Sequence, residues 1–565
     1  MEAKQKWSRT ELGQSTSRRE TRDSSSQTDS KIQGYGPRLS KVNLFTLLSL
    51  WMEVFPQEQQ EEDEDSQVLG LGLVVVREGK VVGLHCSGAE LHAGQAAIIQ
   101  HGAALAHCQL YFSRRPCATC LKMIINAGVS QISFWPGDPE VSMLKAAPSN
   151  RTSSRSPASH LSTTTEEAAL DAVAVERLKS NSRPHICVLL QPLTPGLLQC
   201  VEETSRGSDF MERVADDDPE LNAEELFNRE CLRHLRDFSK QFLIETSQQH
   251  KAVLVQMGLE NFCVEPYFSN LRSNMRELVE VLAAVAAGVP QQHYGFYREQ
   301  LPASPRPESE PEPEPASQEV ARHCIVQARL LAYRTEDPKV GVGAVIWAKG
   351  RSAGCCGTGH LFLVGCGYNA YPAGSKYAEY PQMDNKQEDR QRRKYRYIVH
   401  AEQNALTFRM RDIKPDELTM LFVTKCPCDE CVPLIRGAGV THIYTSDQDR
   451  DKDKGDISYL RFSSLKDISK FIVSFTLFFA CYVAYVGIES FTASAQNLRL
   501  FFLSQWQKSS SVSSRPSTHF VSKLHVLLLL LSAVPFSGIS TVSHPPPSIC
   551  LLRPLFLLQL PPYSL

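Results

Sequence analysis

Residues 400–431 read HAEQNALTFRMRDIKPDELTMLFVTKCPCDEC and place one His and two Cys at the starts of two successive helices. The apolar periodicity after His400-Ala401-Glu402 predicts a helix, and the segment TMLFVT before the Cys pair has the composition of a strand. Cys428 and Cys431 share one face at a helix start, where the helix dipole favours thiolates. The stretch therefore predicts three soft metal ligands held by helix N-termini.

The number of ligands indicates which kind of site this is. A catalytic zinc usually has three protein ligands and an open position for water, whereas a structural zinc usually has four. We predict that His400, Cys428 and Cys431 bind Zn²⁺, and that Glu402 is the general acid/base, because it reaches the open side without being a ligand. A lone C-x-x-C also occurs in zinc knuckles and redox pairs, but its combination with H-A-E favours a catalytic site.

A second copy of the pattern lies earlier in the chain. His92-Ala93-Gly94 stands where H-A-E would be, and QLYFSRRPCATCLKMIINAGVSQI aligns without a gap with MLFVTKCPCDECVPLIRGAGVTHI. His92, Cys117 and Cys120 predict a second, non-catalytic zinc, so we expect two Zn²⁺ per chain. Glycine has no group that transfers protons, and an amide at Gln95 cannot act as a base, so this copy is predicted to be a pseudoenzyme.

These motifs resemble the deoxycytidylate (dCMP) deaminases of the cytidine deaminase superfamily, for which H-x-E with P-C-x-x-C is a recorded pattern. Further stretches that resemble the family are DPKVGVGA (337–344), GCGYN (365–369) and KYRYIV (394–399). The resemblance implies an α/β fold with two cytidine-deaminase-like units, each a mixed sheet of about five strands sandwiched by helices.

The resemblance also implies hydrolytic deamination of cytosine to uracil, with Zn²⁺ as cofactor and a pyrimidine nucleoside or nucleotide as substrate. By resemblance, Asn369 and Tyr395 hold the nucleotide and Asn404 supports the pocket. Asn369 also fits a plain turn after a strand. Assembly into a homo-oligomer is compatible with the family.

Three functions stay open at this stage. The first is deamination of free cytidine, deoxycytidine, dCMP or dCTP. The second is deamination of a polynucleotide, which would need a wide basic groove with exposed aromatic residues. Residues 317–470 hold 24 Lys and Arg against 19 Asp and Glu, and the basic segment 386–396 suits a phosphate or a solvated loop. The third is a zinc-stabilised scaffold without turnover.

Composition divides the chain into six regions. A polar, acidic N-terminal region is expected to be disordered apart from a short amphipathic helix over 39–55, and a Pro/Glu-rich linker is stiff and charged. The predicted regions are residues 1–65 (disordered and acidic), 66–190 (pseudoenzyme unit), 191–300 (helical connection), 301–316 (linker), 317–470 (catalytic unit) and 471–565 (apolar tail).

The composition and charge of the whole chain limit its class and location. A hydrophobic content of 42% and a net charge of −2 exclude a collagen, a fully disordered chain and a strongly basic nucleic-acid binder. The start lacks the apolar core of a secretory signal, so we expect an intracellular protein, cytoplasmic with nuclear entry left open. The tail has only six charged residues, and its uncharged run 471–488 just reaches bilayer length, so we do not expect a membrane protein but keep that alternative.

Overall fold

The computed structural model of the chain describes residues 37–56, 70–88, 91–140, 158–211, 222–291, 295–299, 315–337, 340–350, 357–372, 394–415, 417–446 and 457–473. All of them lie in one unit, Met1–Ala480. The basic segment before Lys394, the linker up to residue 314 and the tail after residue 473 lie outside the described residues.

The first module is built on a five-stranded mixed sheet. Its elements are α1 (Lys41–Glu53), β1 (Gly72–Arg77), β2 (Lys80–Cys86), α2 (Ala93–His101), β3 (Gln109–Phe112), α3 (Ala118–Asn126), β4 (Gln131–Phe134), α4 (Ala158–Asn181) and β5 (His185–Cys187). The strand order is β2-β1-β3-β4-β5. β1 runs antiparallel to β2 and β3, whereas β3, β4 and β5 are parallel.

In the described residues, four helices of seven or more residues lie between this module and the next. They are α5 (Leu197–Arg206), α6 (Ala223–Phe242), α7 (Ser247–Gln256) and α8 (Tyr267–Ala287). The apolar positions of α6 recur at three-four spacing, and the helix packs against α5 and α8. The C-terminal half of α8 is buried nearly all round, which makes this helix the centre of the connecting region.

The second module repeats the first with one strand added. Its elements are β6 (Phe296–Arg298), α9 (Gln318–Ala332), β7 (Gly343–Lys349), β8 (Leu361–Tyr368), α10 (Ala401–Thr407), β9 (Leu418–Val423), α11 (Cys431–Gly437), β10 (His442–Thr445), α12 (Leu460–Ser464) and β11 (Ser469–Val473). The order is β6-β11-β10-β9-β7-β8, so β8-β7-β9-β10-β11 matches the five strands of the first sheet.

The two sheets agree in detail. Each opens with an antiparallel hairpin, and both hairpins have a register shift at the same place, between Val75 and Val76 and between Ile346 and Trp347. Consecutive residues of β1 and β7 are buried, so both faces of each sheet are covered. The prediction of an α/β fold with two units, each a mixed sheet sandwiched by helices, is confirmed.

The modules are joined through the equivalent helices α1 and α9. The Trp51 indole stacks on the His323 imidazole with ring centroids 4.5 Å apart, and its Nε1 donates to the His323 carbonyl at 3.0 Å. Gln327 of α9 donates to Met52 Sδ and accepts from Trp347 Nε1. Apolar residues of both modules therefore form one continuous core.

The helix predicted over 39–55 is present as α1, but every residue from Asn43 to Glu53 is buried instead of one face only, because the first sheet and α9 both pack on it. Two boundaries differ from those expected. β11 extends to Val473, three residues into the predicted tail, and β6 joins the second sheet although it precedes the linker. Within the described residues, none of the helices has the length and apolar character needed to cross a bilayer.

Candidate metal centres

The helix α10 positions the His and Glu of the second module. His400 is its N-cap residue, and the His400 backbone N–H donates to Gln403 Oε1 at 2.8 Å. The strand β8 lies directly beneath the start of α10. The two are so close that a Cβ on Gly367 would collide with the carbonyl of Ala401. Only glycine allows this close approach, so the helix start is fixed against the sheet.

Both cysteines converge on the same ring nitrogen. Cys428 lies in the turn after β9, Cys431 begins α11, and each Sγ is 3.3 Å from His400 Nδ1. Hydrogen bonds from Cys431 and then from His400 lower the pKa of Cys428 to about 4. Burial lowers the pKa of His400, but the hydrogen bond and charge of Cys428 outweigh burial and raise this pKa to about 9. The three side chains form a cluster able to hold a metal ion.

Glu402 lies beside this cluster without belonging to it. Its side chain is buried, and burial raises the pKa of Glu402 to about 7, against smaller lowering effects of His400 and a hydrogen bond with Cys431. A carboxyl group with a pKa near neutral can both accept and donate a proton in the physiological range. The buried position of Glu402 beside the three ligand side chains suits the acid/base role that the sequence predicts.

The first module brings its three predicted ligands together in the same way. His92 is the N-cap of α2, and its Nδ1 lies 3.3 Å from Cys117 Sγ and 3.6 Å from Cys120 Sγ. Gln95 accepts from the His92 backbone N–H at 3.0 Å, just as Gln403 does for His400. Gln95 is thus a helix cap and does not replace the missing carboxylate.

Gly94 occupies the place of Glu402, and the first module has no room for a side chain there. An added Cβ would lie 2.9 Å from Cys120 Cβ and 3.1 Å from Ile124 Cδ1. Helix α3 begins at Ala118, directly after the first cysteine, whereas α11 begins only at its second cysteine. Cys120 and Ile124 of helix α3 therefore pack against the position that corresponds to Glu402.

A carboxylate that the sequence analysis did not identify, Glu140, enters the first cluster. Its Oε1 lies 3.2 Å from His92 Nδ1, and its Oε2 accepts from the Cys117 backbone N–H at 3.1 Å. Glu140 follows β4, and Cys117 follows the parallel neighbour β3. The carboxyl ends of parallel strands meet at one sheet edge, so the loop after β4 brings Glu140 to the cysteines that follow β3.

Asn369 is one of the predicted substrate residues, and its side-chain amide forms hydrogen bonds with other residues of the protein. Its Oδ1 accepts from Thr335 Oγ1 at 2.7 Å and from Val342 N at 2.8 Å, while its Nδ2 donates to Val340 O at 2.8 Å. These bonds fix the loop before β7, which differs from the local turn after β8 that the sequence offered as the alternative. A contact between Asn369 and substrate stays a prediction.

The other two predicted substrate residues are Asn404 and Tyr395. Asn404 Nδ2 donates to Tyr368 O at 2.8 Å, which ties α10 to β8. Tyr395 is half-buried in a 3₁₀ turn. Its neighbour Lys394 is fully buried, with Nζ 2.6 Å from Asp337 Oδ1. This lysine, at the end of the basic segment, therefore belongs to the packed interior.

Comparison with known proteins is consistent with this geometry. Residues 47–135 and 317–446 match the family model "Cytidine and deoxycytidylate deaminase zinc-binding region". The chain is 57% identical to "Cytidine and dCMP deaminase domain-containing protein 1" of Danio rerio over 458 residues, which is 81% of this chain and 94% of the relative. It is 33% identical to the deoxycytidylate deaminase of Homo sapiens over 24% of this chain and 70% of the human protein.

A solved structure gives a further match. The dCMP deaminase of cyanophage S-TIM5, in complex with dCMP and dUMP, is 22% identical over 28% of this chain and 98% of its own, with a TM-score of 0.20. The family assignment itself rests on the two matched regions and on the Danio rerio relative. From the duplicated sheet, the two His/Cys clusters, the matched regions and the Danio rerio relative, we conclude that the chain belongs to the cytidine and deoxycytidylate deaminase family.

Proposed function

We propose that the second module catalyses the zinc-dependent hydrolysis of cytosine to uracil and ammonia in a free nucleoside or nucleotide. The observation that carries this proposal is the buried Glu402 beside a three-residue ligand cluster. Membership of the deaminase family supports the reaction class. Related deoxycytidylate deaminases support a nucleotide as the substrate.

The residues of the site have separate tasks in this proposal. His400, Cys428 and Cys431 would hold zinc, which as a Lewis acid makes water nucleophilic near neutral pH. Glu402 accepts a proton from the water that attacks C4 of cytosine and passes it to ring atom N3. A second proton transfer through Glu402 lets ammonia leave, so the carboxylate ends in its starting state.

The three predicted substrate residues would act mainly by fixing the loops and the helix that line the substrate pocket. Asn369 and Asn404 fix the loop before β7 and the start of α10, and Tyr395 offers a half-buried ring and hydroxyl to the substrate. We place this activity inside the cell, where reduced thiols are available to bind zinc.

Ammonia release from a panel of substrates tests the proposal. The purified full chain is incubated with cytidine, deoxycytidine, dCMP and dCTP, and in a separate reaction with a cytosine-containing single-stranded oligonucleotide. Turnover of at least one free substrate that exceeds turnover of the oligonucleotide supports the proposal. Preference for the oligonucleotide would establish polynucleotide deamination instead. If zinc is bound but none of the substrates is converted, the scaffold alternative is correct.

A further inference from the structure

Three side chains surround His92 Nδ1 at distances that match the edges of a coordination tetrahedron. The ring nitrogen lies 3.3 Å from Cys117 Sγ, 3.6 Å from Cys120 Sγ and 3.2 Å from Glu140 Oε1. Zinc bonds of about 2.3 Å to sulfur and about 2.0–2.2 Å to nitrogen or oxygen give tetrahedral edges of about 3.4–3.6 Å. The observed distances are within about 0.3 Å of these edges.

The carboxylate of Glu140 is nearly buried against the side chains of the first cluster. Its side chain is only 10% exposed, and in the described part of the chain its carboxylate contacts His92 and the Cys117 N–H but is not paired with Lys or Arg. A buried carboxylate is costly unless a cation or a metal compensates it. A metal ion bound by two thiolates and an imidazole supplies that compensation.

The backbone around Glu140 holds it in place independently of any metal. The Glu140 N–H donates to the Arg115 carbonyl at 2.9 Å. Earlier in the same loop, Trp135 Nε1 donates to the Phe242 carbonyl at 2.7 Å, and His250 Nε2 lies 2.8 Å from the Pro136 carbonyl. The connecting helices thus anchor the loop that presents the carboxylate.

We propose that Glu140 is the fourth ligand of a closed zinc site formed with His92, Cys117 and Cys120. The carboxylate takes the position that water occupies in a catalytic site, so the first module has lost both its acid/base group and its place for a nucleophile. The site serves stability by joining the starts of α2 and α3 to the loop after β4. This inference is independent of the proposed activity of the second module.

The experiment uses full-length Cys428→Ser protein, in which the second cluster is disabled and the remaining metal reports on the first. We expect one zinc per chain, with an X-ray absorption edge that fits two sulfur and two nitrogen or oxygen neighbours. With Co²⁺ in its place, the visible spectrum should be intense and constant between about pH 6 and about pH 9, because no water ligand is present to ionise.

A ligand variant completes the test. In the Cys428→Ser background, Glu140→Gln should release zinc to a chelator at least about tenfold faster, whereas Asp138→Asn, an exposed acid of the same loop, should not. The proposal is overturned by a Co²⁺ spectrum that titrates, by equal release from the Gln and Asn variants, or by a Cys117–Cys120 disulfide in place of metal. None of these measurements reads deaminase activity, so they stand apart from the substrate panel.

Discussion

The two modules have the same strand order, the same hairpin irregularity and the same His/Cys cluster, yet they differ at one helix position. Glu402 in α10 corresponds to Gly94 in α2, where Cys120 and Ile124 leave no space for a side chain. A module of this family can therefore lose the glutamate while its His/Cys cluster stays in place. On the proposed function, the cluster supports the fold in both modules, and the Glu402 carboxylate supplies the chemistry in the second module alone.

The largest effect is expected at the acid/base residue. Glu402→Gln keeps the shape of the side chain but removes proton transfer, so turnover should fall by about 10²- to 10⁴-fold with zinc content unchanged. Asp412→Asn, the same chemical change at an exposed acid of this module, serves as the control. Steady-state rates on the best substrate of the panel measure both variants. A Glu402→Gln rate close to that of the control would show that another group is the base.

Removal of a ligand should separate the two clusters. His92→Ala should lose one zinc and destabilise the protein on the order of 3–5 kcal/mol, because metal binding contributes to folding, with a smaller effect on the kcat of the folded protein. His400→Ala should lose the other zinc together with all turnover. Metal analysis, denaturant unfolding and kinetics on both variants make the comparison. Loss of turnover in folded His92→Ala protein would mean that the first cluster takes part in catalysis.

Crowding at the glycine of the first module should be measurable. Gly94→Ala should destabilise by about 1–3 kcal/mol, because its Cβ would press on Cys120 and Ile124. Gly437 is the control, since it ends α11 and a Cβ there meets nothing within 4 Å. Gly437→Ala should be neutral or slightly stabilising. Unfolding in urea compares the two, and equal stabilities would contradict the crowded packing.

The smallest effect concerns the two helix caps. Gln95→Ala and Gln403→Ala each remove a hydrogen bond to the N–H of a cluster histidine, and each should cost about 0.5–2 kcal/mol. Only Gln403→Ala should also lower kcat, because His400 then loses part of its orientation. Thermal unfolding and kinetics are the measurements. Equal effects of both variants on kcat would contradict the proposal that the second module alone is catalytic.

Much of the site could be predicted because its residues follow local rules. His400, Glu402, Cys428 and Cys431 have fixed spacings at the starts of helices, and a spacing is visible in the sequence. Glu140 has no such spacing, since the segment before it, PGDP, signals only a turn. Its role depends on the parallel pairing of β3 and β4, which is a long-range contact.

The fold, too, could be predicted only where it follows from patterns within a short segment of sequence. The duplicated sheets follow from two aligned segments, but the complete burial of α1 follows from α9, more than 260 residues later. A pattern within one helix cannot show which distant partner will cover it. The C-terminal boundary at residue 470 came from a change in composition, whereas β11 is set by pairing with β10 and β6.

The short strand β6 determines where the second module can be separated from the rest of the chain. Residues Phe296–Arg298 precede the Pro/Glu linker, yet they pair antiparallel with Phe471–Val473. A fragment starting at residue 317 would leave the outer side of β11 with free backbone donors and acceptors. Such an edge recruits strands from other molecules and promotes aggregation. A recombinant second module should therefore begin before residue 296, so that β6 is present and covers the outer edge of β11.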